Sequence, residues 1–237
     1  MHAQRERTVK LMLLALFIAF AVIQLVGELV DPVFIIAMVK IMPVLVLGVF
    51  LVMMGGRKVT TLVLGFIASA TGDVLLALEP VLKGNMFIFG LLAFLLAHVF
   101  FIITFARIAK WNPKRIPAAV GVLLFAGVLL SQVLQQAGGL KLPVAIYGLF
   151  LVSMAISAIF AVQKSVLLGI GGAIFVSSDG SLAWNRFVGQ FAGSGFVIMA
   201  TYYVAQLLLA RGFLFEIGAV KDQWSAAPEA VAETPPS

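Results

Sequence analysis

Two aspartates are the most informative residues in the chain. Asp73 lies in Gly72-Asp73-Val74-Leu75-Leu76-Ala77 and Asp179 in Ser178-Asp179-Gly180-Ser181-Leu182-Ala183, each inside an apolar run. A charge at membrane depth costs about 2.5–3.5 kcal/mol on insertion scales, so a carboxylate there is a functional residue by default. Two of them sharing a low-dielectric site repel each other, which keeps a proton on one, while Lys40 or a tyrosine hydroxyl holds the other ionised. An acid and a base then coexist at neutral pH, as general acid–base hydrolysis requires. The simpler alternative is a structural ion pair of Lys40 with one aspartate, the second being hydrogen-bonded. Lys40, His98, Tyr147, Asn185, Tyr202, Tyr203 and Gln206 are the polar residues expected to support the pair or bind substrate. His98, alone, is more readily an interhelical donor than a catalyst. Tyr202 and Tyr203 are about 100° apart on a helix, so only one faces a shared pocket.

The elements that must position these residues are membrane spans. Of 237 residues, 62% are apolar and 11% charged, against roughly 45–50% and about 25% in soluble domains. Disorder is excluded, and too few charges remain to cover a soluble surface. Cysteine is absent, which removes disulfides and thiolate chemistry, and two histidines leave little for a metal cage. The net charge of +6 does not imply nucleic acid, because the basic residues lie between apolar runs rather than in a stripe. An apolar run of about 20 residues crosses a bilayer core. The spacing predicts eight, at Leu11 to Val30, Val33 to Met54, Val59 to Leu78, Asn85 to Ala106, Ile116 to Leu134, Leu142 to Val162, Ser165 to Trp184 and Gln190 to Ala210. Lipid offers no partner to an open strand edge, so the spans are helices and the fold is all-α. Residues 1–10 read as a basic N-terminus, 11–215 as the membrane domain and 216–237, rich in Ala, Pro and Glu, as a disordered tail.

Twelve Lys and Arg fall on the side of the termini and three, Lys83, Lys141 and Arg186, on the other. The positive-inside rule therefore predicts cytoplasmic termini, in a bacterial inner membrane. Arg5, Arg7 and Lys10 before Ala19-Phe20-Ala21 mimic a secretory signal, but the apolar run continues to Val30, too long for one. Glu79, at a span end, is expected to be solvated. Arg186 and Lys83 stand at the rim where a phosphate head group would arrive, and Trp111 and Trp184 read as interfacial anchors.

Shifting the chain by 106 residues pairs Gly65 with Gly171 and Asp73 with Asp179. A shift of 107 brings Lys40 onto Tyr147, and one of 108 brings Phe94 onto Tyr202 and His98 onto Gln206. Every pair joins span n to span n+4, so the expectation is two parallel four-helix repeats. At 1.5 Å per residue, Asp73, Asp179, Lys40 and Tyr147 share one layer roughly 8–12 Å deep, with His98 and Gln206 expected deeper unless helix tilt raises them. Small residues, Ser69 and Gly65 one and two turns before Asp73 and Gly172 and Gly171 two turns before Asp179, turn the aspartate faces toward protein.

No Walker, dinucleotide, HExxH or Gly-x-Ser-x-Gly motif occurs. Five other motifs do occur in order: Lys40-x-x-Pro43, Gly72-Asp73-Val-Leu-Leu-Ala77, Ala93-Phe-Leu-Leu-Ala97-His98, Gly172-Ala-x-x-Phe-x-x-Ser178-Asp179-x-x-Leu182-Ala183 and Thr201-Tyr202-Tyr203-x-Ala205-Gln206. Together they resemble the YhhN family of eight-span membrane proteins, whose animal members are lysoplasmalogenases. The resemblance implies hydrolysis of the vinyl ether bond of a lysophospholipid substrate, with Asp73 and Asp179 as the catalytic pair and neither metal nor organic cofactor. Family members often read Lys-Pro where this chain has Lys40-Ile41, which bears on local helix shape. Which aspartate is the acid stays open at this level. A proton- or ion-coupled transporter is the competing function, although matching Gly/Pro-interrupted spans are absent; a lipid-binding protein without turnover is a third.

Overall fold

The computed structural model describes residues 2–30, 39–82 and 85–219, with side chains from Thr8 onward. Asp31-Pro32, the start of the second expected span, Lys83 and the tail beyond residue 219 lie outside the described residues. Eight α-helices of fourteen residues or more occur among the described residues: α1 His2–Val30, α2 Met42–Gly55, α3 Thr60–Leu78, α4 Met86–Ala106, α5 Ile116–Gln136, α6 Lys141–Ala161, α7 Leu167–Phe187 and α8 Ser194–Glu216. No strand occurs among them.

Local chemistry sets the helix ends. Pro43 and Pro117 stand in the first turns of α2 and α5, where their missing N–H would have no partner anyway. Asn112 accepts a hydrogen bond from the Lys114 N–H at 3.0 Å and so starts the 3₁₀ turn Pro113–Arg115. Gly56 follows α2 at φ +54°, a left-handed conformation that opens the 3₁₀ turn Gly56–Val59 into α3. By length and composition, seven apolar helical stretches among the described residues are long enough to cross a membrane, with Met42–Leu78 counted as one of 37 residues. The chain nonetheless turns at Gly56, because Lys40, ahead of α2, meets Asp73 near the far end of α3.

The outside of the bundle is apolar: Leu11, Val22, Phe89, Leu124, Val128 and Leu149 are all exposed. Lipid is the solvent such a surface fits, and the protein is an integral membrane protein. The most extensive packings join α3 to α4 and α7 to α8; α6 lies against both α4 and α7, and α1 against α2 and α8. Glycines make the close approaches. A Cβ at Gly65 or Gly72 of α3 would collide with Phe101 or Phe94 of α4. One at Gly171 of α7 would lie 3.0 Å from the backbone of Leu209 in α8, and one at Gly172 would lie 3.1 Å from Ala155 in α6. α8 is central, whereas α5 is peripheral and buries only Ala126 and Val133.

Candidate active site

The close helix contacts bring seven polar residues into one layer near the Arg186 end of the bundle. Asp73 is 3% exposed and Asp179 6%, so both carboxylates lie inside protein rather than against lipid. Lys40 Nζ stands 4.0 Å from Asp73 Oδ1 and is the cation that faces this carboxylate. Tyr147 of α6 donates its hydroxyl hydrogen to Asp179 Oδ2. His98 Nε2, from α4, lies 3.5 Å from the same oxygen. Asp73 is within electrostatic range of both Asp179 and Tyr147, so the carboxylates share one field. Tyr202 of α8 faces Asp73 and Gln206, although its hydroxyl closes no hydrogen bond with either.

Tyr203 donates to the Lys40 carbonyl at 2.8 Å. One of the adjacent tyrosines thus faces the pocket and the other fixes the lysine's backbone. Phe94 and Phe175 pack edge-on against Tyr202, with ring centroids 6.1 and 5.8 Å away, and Phe175 also packs against His98 at 5.4 Å. This aromatic wall joins the Asp73 and Asp179 sides. Asn185 lies farther out, at the mouth, where it lines a polar cavity of about 310 Å³ with Lys40, Glu79, Arg186 and Gln190.

Several of these groups have no hydrogen-bond partner among the described residues. Ser69 Oγ, Asp73 Oδ2, both nitrogens of His98, Asn185 Oδ1, the Tyr202 hydroxyl and both amide atoms of Gln206 are buried without a hydrogen bond. A buried polar atom left so costs about 1–3 kcal/mol, and folded proteins tolerate few. Gathered around the carboxylates, with Asn185 at the mouth, they form a surface suited to a polar guest. The arrangement offers a carboxylate beside a cation, a second carboxylate beside neutral donors, and unengaged donors and acceptors between them, the equipment for moving protons.

Three expectations need correction. His98 is not deeper than the aspartates but beside one of them, because tilted helices do not convert residue count into depth. Lys40 is not in one helix with the rest of its expected span; a turn at Ile41 separates it from α2, which starts at Met42 with Pro43 in its first turn. Glu79 is not simply solvated, since Arg186 Nη2 holds its Oε1 at 2.7 Å while the guanidinium covers the Phe87 ring. From the sequence, Ser69, one turn before Asp73, counted only as a small residue, and Gln24, which is 1% exposed and donates to Glu28 at 2.9 Å, was passed over. A polar residue one helical turn from the aspartate was the available signal for Ser69; Gln24 carried only its own polarity.

Comparison with known proteins gives one consistent answer. The model of the YhhN family matches residues 35–213. The chain is 36% identical to the human protein named lysoplasmalogenase TMEM86B over 75% of each chain. It is 33% identical to a Mycobacterium bovis lysoplasmalogenase over 68% of this chain and 62% of that one, and 27% identical to human lysoplasmalogenase TMEM86A over 76% and 78%. No solved structure matches.

Proposed function

The chain belongs to the YhhN family, and from that premise we propose that it hydrolyses the vinyl ether bond of lysoplasmalogens, with Asp179 as general acid and Asp73 as general base. The observation that carries the assignment is the difference in partners: Lys40 faces Asp73, whereas Tyr147 and His98 face Asp179. A fixed cation favours the ionised form of its neighbour, and repulsion from that charge leaves the proton on the other carboxyl. The two are a coupled pair and titrate together.

Chemistry follows from this distribution. Asp179 gives its proton to the alkene carbon remote from the ether oxygen, producing an oxocarbenium ion next to the Asp73 carboxylate, which stabilises it. Water adds to the carbon bearing oxygen, and Asp73 takes the proton it releases. The hemiacetal then collapses: its hydroxyl proton returns to Asp179, the carbon–oxygen bond breaks, and Asp73 protonates the departing glycerol oxygen. A fatty aldehyde and a glycerophospho-base leave, one water is consumed, and both carboxyls recover their starting states. His98, Tyr202 and Gln206 orient substrate and water, with Tyr147 and Tyr203 holding Asp179 and Lys40.

The same reading includes eight spans in two parallel repeats. It is supported by the matching roles of α3–α4 and α7–α8, the two most extensive packings, and by Gly65 and Gly171, each set against the following helix. The Lys and Arg distribution supports cytoplasmic termini in a bacterial inner membrane. The deciding experiment is aldehyde release from purified protein and lysoplasmalogen. Stoichiometric aldehyde and glycerophospho-base are expected, and no release by folded protein would reject the hydrolase.

A further inference from the structure

Three cavities meet end to end across the site. The polar mouth by Arg186 shares Leu76, Phe87 and Leu182 with a neck of about 30 Å³ that reaches Tyr147 and Asp179. The neck in turn shares Val144, Tyr147, Asp179 and Ala183 with an apolar groove of about 220 Å³ between α5, α6 and α7. Polarity therefore changes along one path, from charged groups through a carboxyl to hydrocarbon. A lysoplasmalogen has the same order, with its phosphate head, its vinyl ether and then a single alkenyl chain.

Resting on the hydrolase reading above, we infer that the α5–α6–α7 groove is the binding site of the substrate's alkenyl chain and that Gly127 governs the length of chain it accepts. Along α5 the lining runs from Val133 to Leu123, about 15 Å at 1.5 Å per residue. Apart from Asp179 and the Tyr147 hydroxyl the walls are hydrocarbon or backbone, so a chain laid there loses no hydrogen bond. With the head group at the Arg186 mouth, the first chain carbons pass Asp179, which places the alkene carbon that receives the proton beside the acid. Asp73 and Lys40 then lie on the oxygen side, where water must arrive. The groove is open to lipid along exposed α5, so the chain enters sideways from the bilayer without leaving an apolar medium. One groove at the carboxyl takes one chain, which accounts for a lysolipid substrate.

Gly127 lies on the groove wall toward its Leu123 end, and a Cβ there would meet nothing within 4 Å. A larger side chain at this position occupies the path rather than the packing between helices. Gly127→Phe should lower the ratio of kcat/KM for a long-chain over a short-chain lysoplasmalogen about tenfold, the effect of displacing roughly two methylenes. The same fold-change for both lengths would overturn the role of Gly127. Independently, a non-hydrolysable alkyl-ether lysophospholipid carrying a photoreactive diazirine in its chain should label Leu123, Leu130 or Val152 in the unmutated protein. Labelling confined to other helices would overturn the groove, even if turnover is normal. Labelling of the groove without any turnover by the parent would leave the chain site standing and remove the hydrolase.

Discussion

The two halves of the membrane domain present the same carboxylate in the same layer but give it opposite company. Asp73 meets the Lys40 ammonium, which precedes α2, and Asp179 meets the Tyr147 hydroxyl on α6. The fourth helix of each half crosses over: His98 of α4 lies beside Asp179, and α8 sets Tyr202 toward Asp73 with Gln206 beside that tyrosine. On the proposed two-repeat reading, acid–base chemistry requires the copies to diverge at the partner positions. Two identical halves would give their aspartates identical environments and no intrinsic division of labour.

The sharpest break of this comparison is to neutralise each carboxylate. Asp73→Asn and Asp179→Asn keep the shape but cannot exchange protons, so each should lower aldehyde release about 10²–10⁴-fold. Because the pair acts as a unit, the double variant should cost far less than the product of the singles. Both variants should remain folded on detergent chromatography, since Asp73 Oδ2 has no hydrogen bond to lose and an amide oxygen at position 179 can still accept from the Tyr147 hydroxyl. Near-normal turnover in either one would sink the two-carboxylate mechanism.

Glu216 provides the contrast of a buried carboxylate with every oxygen engaged. Its Oε1 accepts from the backbone N–H groups of Gln163, Lys164 and Ser165 at 2.9–3.0 Å, its Oε2 accepts from Lys164 N–H at 3.1 Å, and Lys164 Nζ donates to its carbonyl. It fastens the end of α8 to the chain entering α7. Glu216→Ala should reduce stability by about 1–3 kcal/mol, water replacing part of the loss at the exposed loop, while kcat per folded molecule stays within a factor of two of the parent. Thermal unfolding in detergent alongside turnover checks this. A catalytic defect without a stability loss would show that Glu216 communicates with the site.

What was legible in the sequence was whatever hydropathy and local spacing encode. Apolar runs located the helices, and Asp73 and Asp179 stood out because their cost in lipid is high. Pairing Lys40 with Tyr147 by sequence offset marked the two positions that face the carboxylates. What stayed hidden depends on contacts distant along the chain. Arg186 and Glu79 are 107 residues apart, Glu216 and Lys164 are 52 apart, and no periodicity relates either pair. The position of His98 beside Asp179 depends on how α4 is set by the helices packed against it, α3 and α6, which a residue count along one helix does not carry. The groove beside α5 was equally invisible, since it exists only where a peripheral helix stands off its neighbours.

The finest test separates the two partner positions by their pH behaviour. Lys40→Met removes the cation facing Asp73, so the base is ionised less often and turnover should fall about tenfold at the acid end of the profile, recovering toward alkaline pH. Lys40→Arg should retain most of the acid-end activity, because it restores the charge. Tyr147→Phe removes one hydrogen bond to Asp179, worth about 0.5–1.5 kcal/mol, and should lower turnover roughly two- to tenfold without concentrating the loss at acid pH. His98→Ala should behave like Tyr147→Phe if His98 only orients; a loss as large as that of Asp179→Asn in folded protein would promote it to a proton carrier. The measurement is aldehyde release across pH for the four variants, each first checked by detergent chromatography. An acid-end loss in Tyr147→Phe with a flat profile in Lys40→Met would exchange the assignments and make Asp73 the acid. Equal, flat losses in both would mean that the partners position the carboxyls without dividing the proton between them, and the divergence of the halves would need another explanation.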